Sequence, residues 1–287
     1  MPAKCRGPSN SYRLAEQLYQ KSTHFLLELL QNVDDNTYEV SLPTVNITYK
    51  RRTLEIASNE VGFNKRNVEA ICRIGRSTKS GLDHTTRYIG EKGIGFKSVF
   101  KVADIVWIQS GCYSFKFDKR QKLGMIAPIW AEYPESTANG FTSVILQLSP
   151  DYDEGELVEE IRLLDPRLLV FLRKLRQINL SILDDRTGKS WVNTLVRRDE
   201  PCGTDSQYQY MILQNDLICQ RYTLTRFSVL HMPAETKRSG CKQTEILLAF
   251  PISDVNEPKI ESQHVYAFLP IRDYGFKVGF IVFLFLD

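Results

Sequence analysis

The sequence predicts an α+β chain built as two units in series, and three observations carry that reading. Runs of alternating apolar residues, such as Val45, Ile47 and Tyr49, are interspersed with capped helical stretches. A length of 287 residues suits about two domains. Between Ser149 and Glu156 the acidic, turn-rich SPDYDEGE interrupts the pattern. These place one unit at residues 11–150 and a second at 151–287.

The elements follow in order. Pro2, Gly7 and Pro8 mark a loose start, Tyr12 to Gln20 reads as a short helix, and Ser22 or Thr23 can cap a second helix running to about Asp35. Thr44 to Tyr49 and Thr53 to Ala57 read as a hairpin whose turn carries Lys50, Arg51 and Arg52, a solvated basic cluster on this reading. Asn64 can cap a helix that continues to Cys72. From Gly75 to Gly95 five glycines and little apolar periodicity predict a long loop, of the kind that usually carries function or is disordered. Ile105 to Ser110, Tyr113 to Asp118 and Phe141 to Leu148 read as strands.

In the second unit, Leu157 to Leu164 and Pro166 to Arg176 read as helical, with Asp165 capping and Pro166 in the first turn. Ile178, Leu180 and Ile182 alternate, and Asp185 to Gly188 turns into Trp191 to Val196. Further strands are expected at Tyr208 to Leu213, Thr244 to Phe250 and Val265 to Phe268. Val278 to Leu286 is nearly all apolar but about half a membrane span, so it reads as a buried strand.

Composition excludes several classes. Thirty-seven Lys and Arg against thirty-four Asp and Glu leave +3, which points to neither nucleic acid nor membrane. Six scattered cysteines with no CxxC pair argue against a zinc site or disulfide scaffold. With no signal peptide, the expected setting is intracellular, cytoplasmic or nuclear, with reduced thiols.

Three segments hold the residue types that polyphosphate chemistry needs. In Glu28-Leu-Leu-Gln-Asn32-Val-Asp-Asp35, the residues Glu28, Asn32 and Asp35 fall within about 60° on a helix, roughly opposite a stripe of Leu26, Leu29, Leu30 and Val33. A carboxylate can orient a water there, and an amide oxygen one turn on can hold Mg²⁺, which favours oxygen ligands alongside phosphate. In Ile89-Gly90-Glu-Lys-Gly93-Ile-Gly95-Phe96, closely spaced glycines enter a helix-compatible run, so that bare amides can approach an anion. The spacing is neither GxxxxGK[ST] nor GxGxxG. In Gly75-Arg-Ser-Thr-Lys79-Ser80-Gly81, cations between glycines suit a lid over polyphosphate. Taken alone, the helix segment reads first as a solvated polar face, and the other two read equally as a plain glycine turn and a surface loop.

Taken together and in this order, an ELxxN helix, a VGF turn, a Gly-Lys-Ser lid and an IGxxGIGF run resemble the GHKL ATPases, the superfamily of gyrase B, ninety-kilodalton heat-shock chaperones, histidine kinases and MutL. Within it, QNVDDN, EVGF, IGRSTKSG and GEKGIGFKSVF look like the sacsin and NO VEIN-type branch over about residues 11–150, and LAFP and FLPIRDYGF look like the segment that follows there. The resemblance implies a Bergerat-type α/β sandwich, a mixed and largely antiparallel sheet covered by helices, followed by a second α+β domain. It implies ATP and Mg²⁺ as ligands, with slow hydrolysis coupled to lid closure in a chaperone-like or switch module. Glu28 matches the general base, Asn32 the Mg²⁺-binding amide and Asp35 the polar residue closing that helix face. Gly90, Gly93 and Gly95 match the phosphate donors, Phe96 the anchor of their turn, Lys79 and Ser80 the lid, and Thr142 the strand threonine near adenine. The implied partners are a second copy, through the lid or the N-terminal segment, and protein clients.

Two departures stand out. Where the superfamily has DxGxG, this chain has Ser58-Asn59-Glu60-Val61-Gly62, so a serine or asparagine would bond the base without a charged acceptor. At the C-terminus, Val278 to Asp287 replaces a polar-alternating strand and further chain, which predicts an incomplete second domain whose last strand lacks partners. Both leave a competing reading open, a non-hydrolysing nucleotide-binding or scaffold module. Arg272 and Lys277 are weak candidates by position for a cation supplied to the γ-phosphate, and a surface or strand-edge role is the favoured reading of both.

Overall fold

A computed structural model of the chain describes residues 24–72, 95–138, 140–170, 172–185, 187–200, 209–230, 243–260, 264–267, 269–273 and 279–283. The expected helix at Tyr12 to Gln20 and most of the loop from Gly75 lie outside the described residues. The fold is α+β, with few helices against one large mixed, largely antiparallel sheet.

Helix α1 (His24–Asp34) buries Phe25, Leu26, Leu27, Leu29 and Leu30, and leads to the hairpin of β1 (Thr44–Lys50) and β2 (Thr53–Ser58). The two-residue turn places Arg51 and Arg52 at φ 49° and 59°, a left-handed geometry that costs about 1–2 kcal/mol for each non-glycine residue. Docking offsets that cost. Arg52 donates to the carbonyls of Ser149, Pro150 and Tyr152 at 2.6, 3.2 and 3.1 Å, and Arg51 pairs with Asp185 at 2.7 Å. The basic cluster expected to be merely solvated therefore fastens the hairpin to the connector before the next helix.

Helix α2 (Lys65–Cys72) starts from a reciprocal cap. Asn67 donates its amide N–H to Asn64 Oδ1 at 3.1 Å, and Asn64 donates to Asn67 Oδ1 at 2.8 Å. Residues Gly95–Lys101, at the end of the glycine run, fold as a seven-residue 3-10 helix. Strands β3 (Ala103–Ser110), β4 (Tyr113–Asp118), the two-residue β5 (Ile129–Trp130) and β6 (Thr142–Leu148) complete this part of the sheet. Helix α3 (Glu154–Leu163) is capped by Asp153, which accepts from the amides of Gly155 and Glu156.

The stretch expected to be helical through Arg176 is a 3-10 turn over Pro166–Val170 and then irregular. The amides of 173–175 bond the Asp34 carboxylate instead of preceding carbonyls, so a tertiary contact overrides the local helical pattern. Strands β7 (Gln177–Asp184), β8 (Lys189–Glu200), β9 (Gln209–Gln214), β10 (Cys219–Leu230), β11 (Gln243–Ile252), β12 (His264–Ala267), β13 (Leu269–Asp273) and β14 (Gly279–Phe283) follow.

The sheet order is β13-β12-β14-β11-β10-β9-β8-β7-β1-β2-β6-β3-β4-β5. Strands on either side of residues 149–155 share this sheet, because β7 runs parallel to β1 with Val45 opposite Ile178 and Ile47 opposite Leu180. The C-terminal apolar strand corrects the expectation that it lacks partners. β14 lies between β11, to which it is antiparallel, and β12, to which it is parallel. Among the described residues no helix is long and apolar enough to cross a membrane.

Alternation along the strands divides the sheet into two faces. Leu54, Ile56, Val106, Ile108 and Leu146 point to the face that joins α1 and α3 in one buried core. The opposite face carries Asn46, Glu55 and Asn179; Asn179 donates to Asn46 at 2.8 Å, and Tyr133 donates to Glu55 at 3.2 Å.

Candidate functional site

At one end of the core-facing side the apolar rows give way to hydroxyls. Ser58 follows Leu54 and Ile56 on β2, Ser110 follows Val106 and Ile108 on β3, and Thr142 precedes Val144 and Leu146 on β6. Ser58 and Thr142 are directly opposite in the register, so two residues matched to a base-binding role are cross-strand neighbours. Ser110 Oγ and Thr142 Oγ1 are 2.6 Å apart, and the Phe63 amide donates to Ser110 Oγ at 2.7 Å. Ser58, Ser110 and Thr142 are all buried. Ser110 escaped the sequence reading because it sits at the end of an ordinary apolar strand with no motif around it.

The loop after β2 is latched on both sides. Asn59 Oδ1 accepts from the Thr44 amide at 2.7 Å and its Nδ2 donates to the Leu42 carbonyl at 3.0 Å, so the Asn59 carboxamide holds that turn. The Val61 amide donates to the Thr37 carbonyl at 2.9 Å. Gly62 has φ +90°, and a Cβ there would come within 3.3 Å of Ser110 Oγ. Backbone conformation and close approach both call for glycine at this position.

Helix α1 reaches this row through its C-terminal turn. Tyr38 donates its hydroxyl proton to the Val33 carbonyl at 2.8 Å. Burial, then the nearby Glu60 and Asp34 charges, push the Tyr38 phenol far above its ordinary range, with the neighbouring Ser58 hydroxyl opposing them. Val33 directly follows Asn32, so Tyr38 ties the chain beyond the helix back to the Asn32 turn. One turn earlier, Glu28 is half-buried, and its Oε2 is buried with no hydrogen-bond partner among the described residues. Asp35 is buried at the helix end, where its amide donates to the Gln31 carbonyl at 2.9 Å.

Two residues that the sequence reading passed over fix this end of α1. The Asp34 carboxylate accepts from the amides of Arg173, Lys174 and Leu175 at 2.7, 2.8 and 2.8 Å. In return, Lys174 Nζ donates to the carbonyls of Asp35 and Asn36 at 3.1 and 2.5 Å, placing a cation on the last turn of the helix. Arg176 donates to the carbonyls of 173–175, and the buried Arg197 to those of Leu169 and Leu172. Burial, followed by the neighbouring Arg176, pulls the Arg197 guanidinium below its ordinary range, with Asp199 opposing.

The 3-10 helix that begins at Gly95 packs against α1. Phe96 sits edge-on to Phe100 at 6.3 Å and tilted against Phe117 at 6.2 Å. Lys97 is spent locally: it donates to the Met125 carbonyl and its Nζ lies 4.9 Å from the Phe117 ring centroid. Gly90, Gly93, Lys79 and Ser80 lie outside the described residues. Of the predicted site residues, the structure places Glu28 and Asn32 on α1 and Asp35 just past its end, packs that helix against the Gly95–Lys101 3-10 helix that holds Gly95 and Phe96, and sets Ser58 directly opposite Thr142.

Asn32 offers one amide oxygen, and among the described residues no group of three or more His, Cys, Asp or Glu could hold a metal.

No protein-family model matches the chain. It is homologous to Protein NO VEIN of Arabidopsis thaliana, at 32% identity over 294 residues. The match covers 92% of this chain and 10% of that protein, so the chain spans about a tenth of the length of the relative.

Proposed function

From this homology and the geometry of α1, we propose that the chain is a GHKL-type nucleotide-binding module that takes ATP with Mg²⁺ and hydrolyses it slowly, as part of a conformational switch. The observation that carries the reading is the buried carboxylate oxygen of Glu28, which has no hydrogen-bond partner among the described residues, on the helix that packs against the Gly95–Lys101 3-10 helix. Burying such an oxygen without a partner costs free energy, and a site that positions a water or ligand hydroxyl there recovers that cost.

In this reading Glu28 accepts a hydrogen bond from the attacking water and orients it, acting as general base. Asn32 presents its amide oxygen to Mg²⁺, which when bound spreads the phosphoryl charge. Ser58 and Thr142 face the base, and the glycine run from Gly90 to Gly95 supplies phosphate donors. Asn59, beside them, holds the 42–44 turn with one bond to its Oδ1 and one from its Nδ2, which leaves one N–H and one lone pair for the base. Partners and pathway of the much longer relative belong to the same proposal.

Phosphate release from ATP and Mg²⁺ tests the reading. The parent is expected to turn over slowly, and Glu28→Ala to retain nucleotide and lose turnover. Turnover unchanged in Glu28→Ala removes Glu28 from the mechanism, and binding without turnover in the parent leaves the non-hydrolysing module.

A further inference from the structure

Asp34 puts a carboxylate at the end of α1, where the helix dipole is already negative and the last carbonyls have no partners within the helix. The last turn carries no basic residue of its own to answer that charge. The compensation comes from the segment just before β7. Its amides at 173–175 satisfy the Asp34 carboxylate, and Lys174 Nζ donates to the carbonyls of Asp35 and Asn36. Lys174 therefore closes the helix twice, with its amide on the charge and its ammonium on the open carbonyls. The segment is itself anchored. The Arg176 and Gln177 amides donate to the Pro43 carbonyl at 2.9 and 3.3 Å, and the buried Arg197 donates to the Leu172 carbonyl at 3.0 Å. Asn32 lies inside the turn that this clamp holds, enclosed by the bonds from the Asp35 amide to Gln31 and from the Asn36 amide to Val33. With the clamp open, an unanswered charge and bare carbonyls fray that turn first. Glu28 lies earlier in the helix, in the run whose Leu26, Leu29 and Leu30 are buried in the core.

We infer that Asp34 and Lys174 are positioning residues for Asn32, so that the segment before β7 controls the metal-dependent part of nucleotide binding. The inference rests on the nucleotide-binding reading of α1 and deepens it by naming what regulates that site, the attachment of residues 172–177 to the helix end. Coupling of this kind is reciprocal. A ligand that needs the Asn32 amide oxygen in place binds the clamped helix better than the frayed one, and it stabilises the clamp by the same factor. Since 172–177 leads directly into β7, the parallel partner of β1, occupancy at α1 is felt at the seam where the two halves of the sheet join.

The test pairs two measurements on the whole 287-residue chain. The first is equilibrium binding of ATP with and without Mg²⁺ to the parent, Lys174→Met and Lys174→Arg. Mg²⁺ is expected to tighten ATP binding to the parent by about fivefold or more, and Lys174→Met to keep less than about twofold of that gain. Metal-free ATP should bind Lys174→Met as it binds the parent, and Lys174→Arg, which retains a cationic donor, should recover most of the gain. A merely structural role for Lys174 would weaken binding with and without Mg²⁺ together. The second measurement uses the parent alone and so stands even where a variant folds poorly. Hydrogen exchange at the amides of 173–175 should be slower with saturating ATP and Mg²⁺ than with saturating metal-free ATP, by about the same factor as the gain in affinity. A full Mg²⁺ gain in Lys174→Met, or exchange at 173–175 that does not respond to Mg²⁺ in the ATP-bound parent, overturns the inference while nucleotide binding stands. Failure of the parent to bind ATP at all removes the proposed function itself, and the inference with it.

Discussion

Replacing Asp34 should unfasten the helix that carries Glu28 and Asn32. Asp34 is 1% exposed, and its two oxygens accept three backbone N–H groups at 2.7, 2.8 and 2.8 Å. Bonds to a charged acceptor contribute about 1.5–3 kcal/mol each, and each buried N–H left without a partner costs about 1–3 kcal/mol. The freed 173–175 segment can shift toward water and recover part of that loss, so Asp34→Ala is expected to cost about 3–5 kcal/mol. That is a large share of a total stability of about 5–15 kcal/mol. Asp34→Asn keeps one acceptor but turns an amide donor toward backbone donors, and should cost about 2–3 kcal/mol. Urea unfolding followed by tryptophan fluorescence gives both values from the shift in midpoint at constant slope. A loss below about 1 kcal/mol in Asp34→Ala would refute the reasoning, because a clamp so weak cannot be what stops the 166–176 stretch from continuing as a helix.

Three further outcomes are expected. Gly62→Ala forces a side chain into φ +90° and brings Cβ within 3.3 Å of Ser110 Oγ; urea unfolding should show a loss of about 1–2 kcal/mol. The Ser149 hydroxyl holds Asp104 below its ordinary carboxylate range, and the bond from Arg120 does the same for Asp118. Folded values below unfolded ones mean that this stabilisation is complete above about pH 4 and disappears as pH falls through the folded values. Thermal scans should therefore show the gap between parent and Asp118→Asn closing as the pH drops from about 5 to about 3. A gap that stays constant would contradict the sign. Leu30→Ala empties a fully buried position under the sheet and should cost about 2–5 kcal/mol by the same unfolding assay.

Much of the first sheet was legible because its signals are local. Alternation marked β1 through β4, β6 and β7, and Asn64 marked the start of α2, where the reciprocal bond with Asn67 is the physical basis of the preference. The misses share a cause: distant residues decide them. Pro166 to Arg176 has a helical pattern, yet its later amides are captured by Asp34, more than a hundred positions away in sequence. Strand β10 (Cys219–Leu230) was not anticipated; Arg221, Arg226 and Ser228 break its apolar alternation, and its place comes from pairing with β9 and β11. Within the site, Glu28, Asn32 and Thr142 were found by motif and Ser58 by alignment on Gly62. Ser110, Tyr38 and Lys174 carry no motif, and their roles appear only when β3, the α1 exit and the turn before β7 are brought together.

The most direct trial of the account is the Mg²⁺ dependence of ATP binding in the parent and in Asn32→Ala. The account predicts that Mg²⁺ strengthens ATP binding to the parent and that Asn32→Ala loses most of that gain while still binding metal-free ATP. No ATP binding by the parent, or the same Mg²⁺ dependence in both proteins, would contradict it.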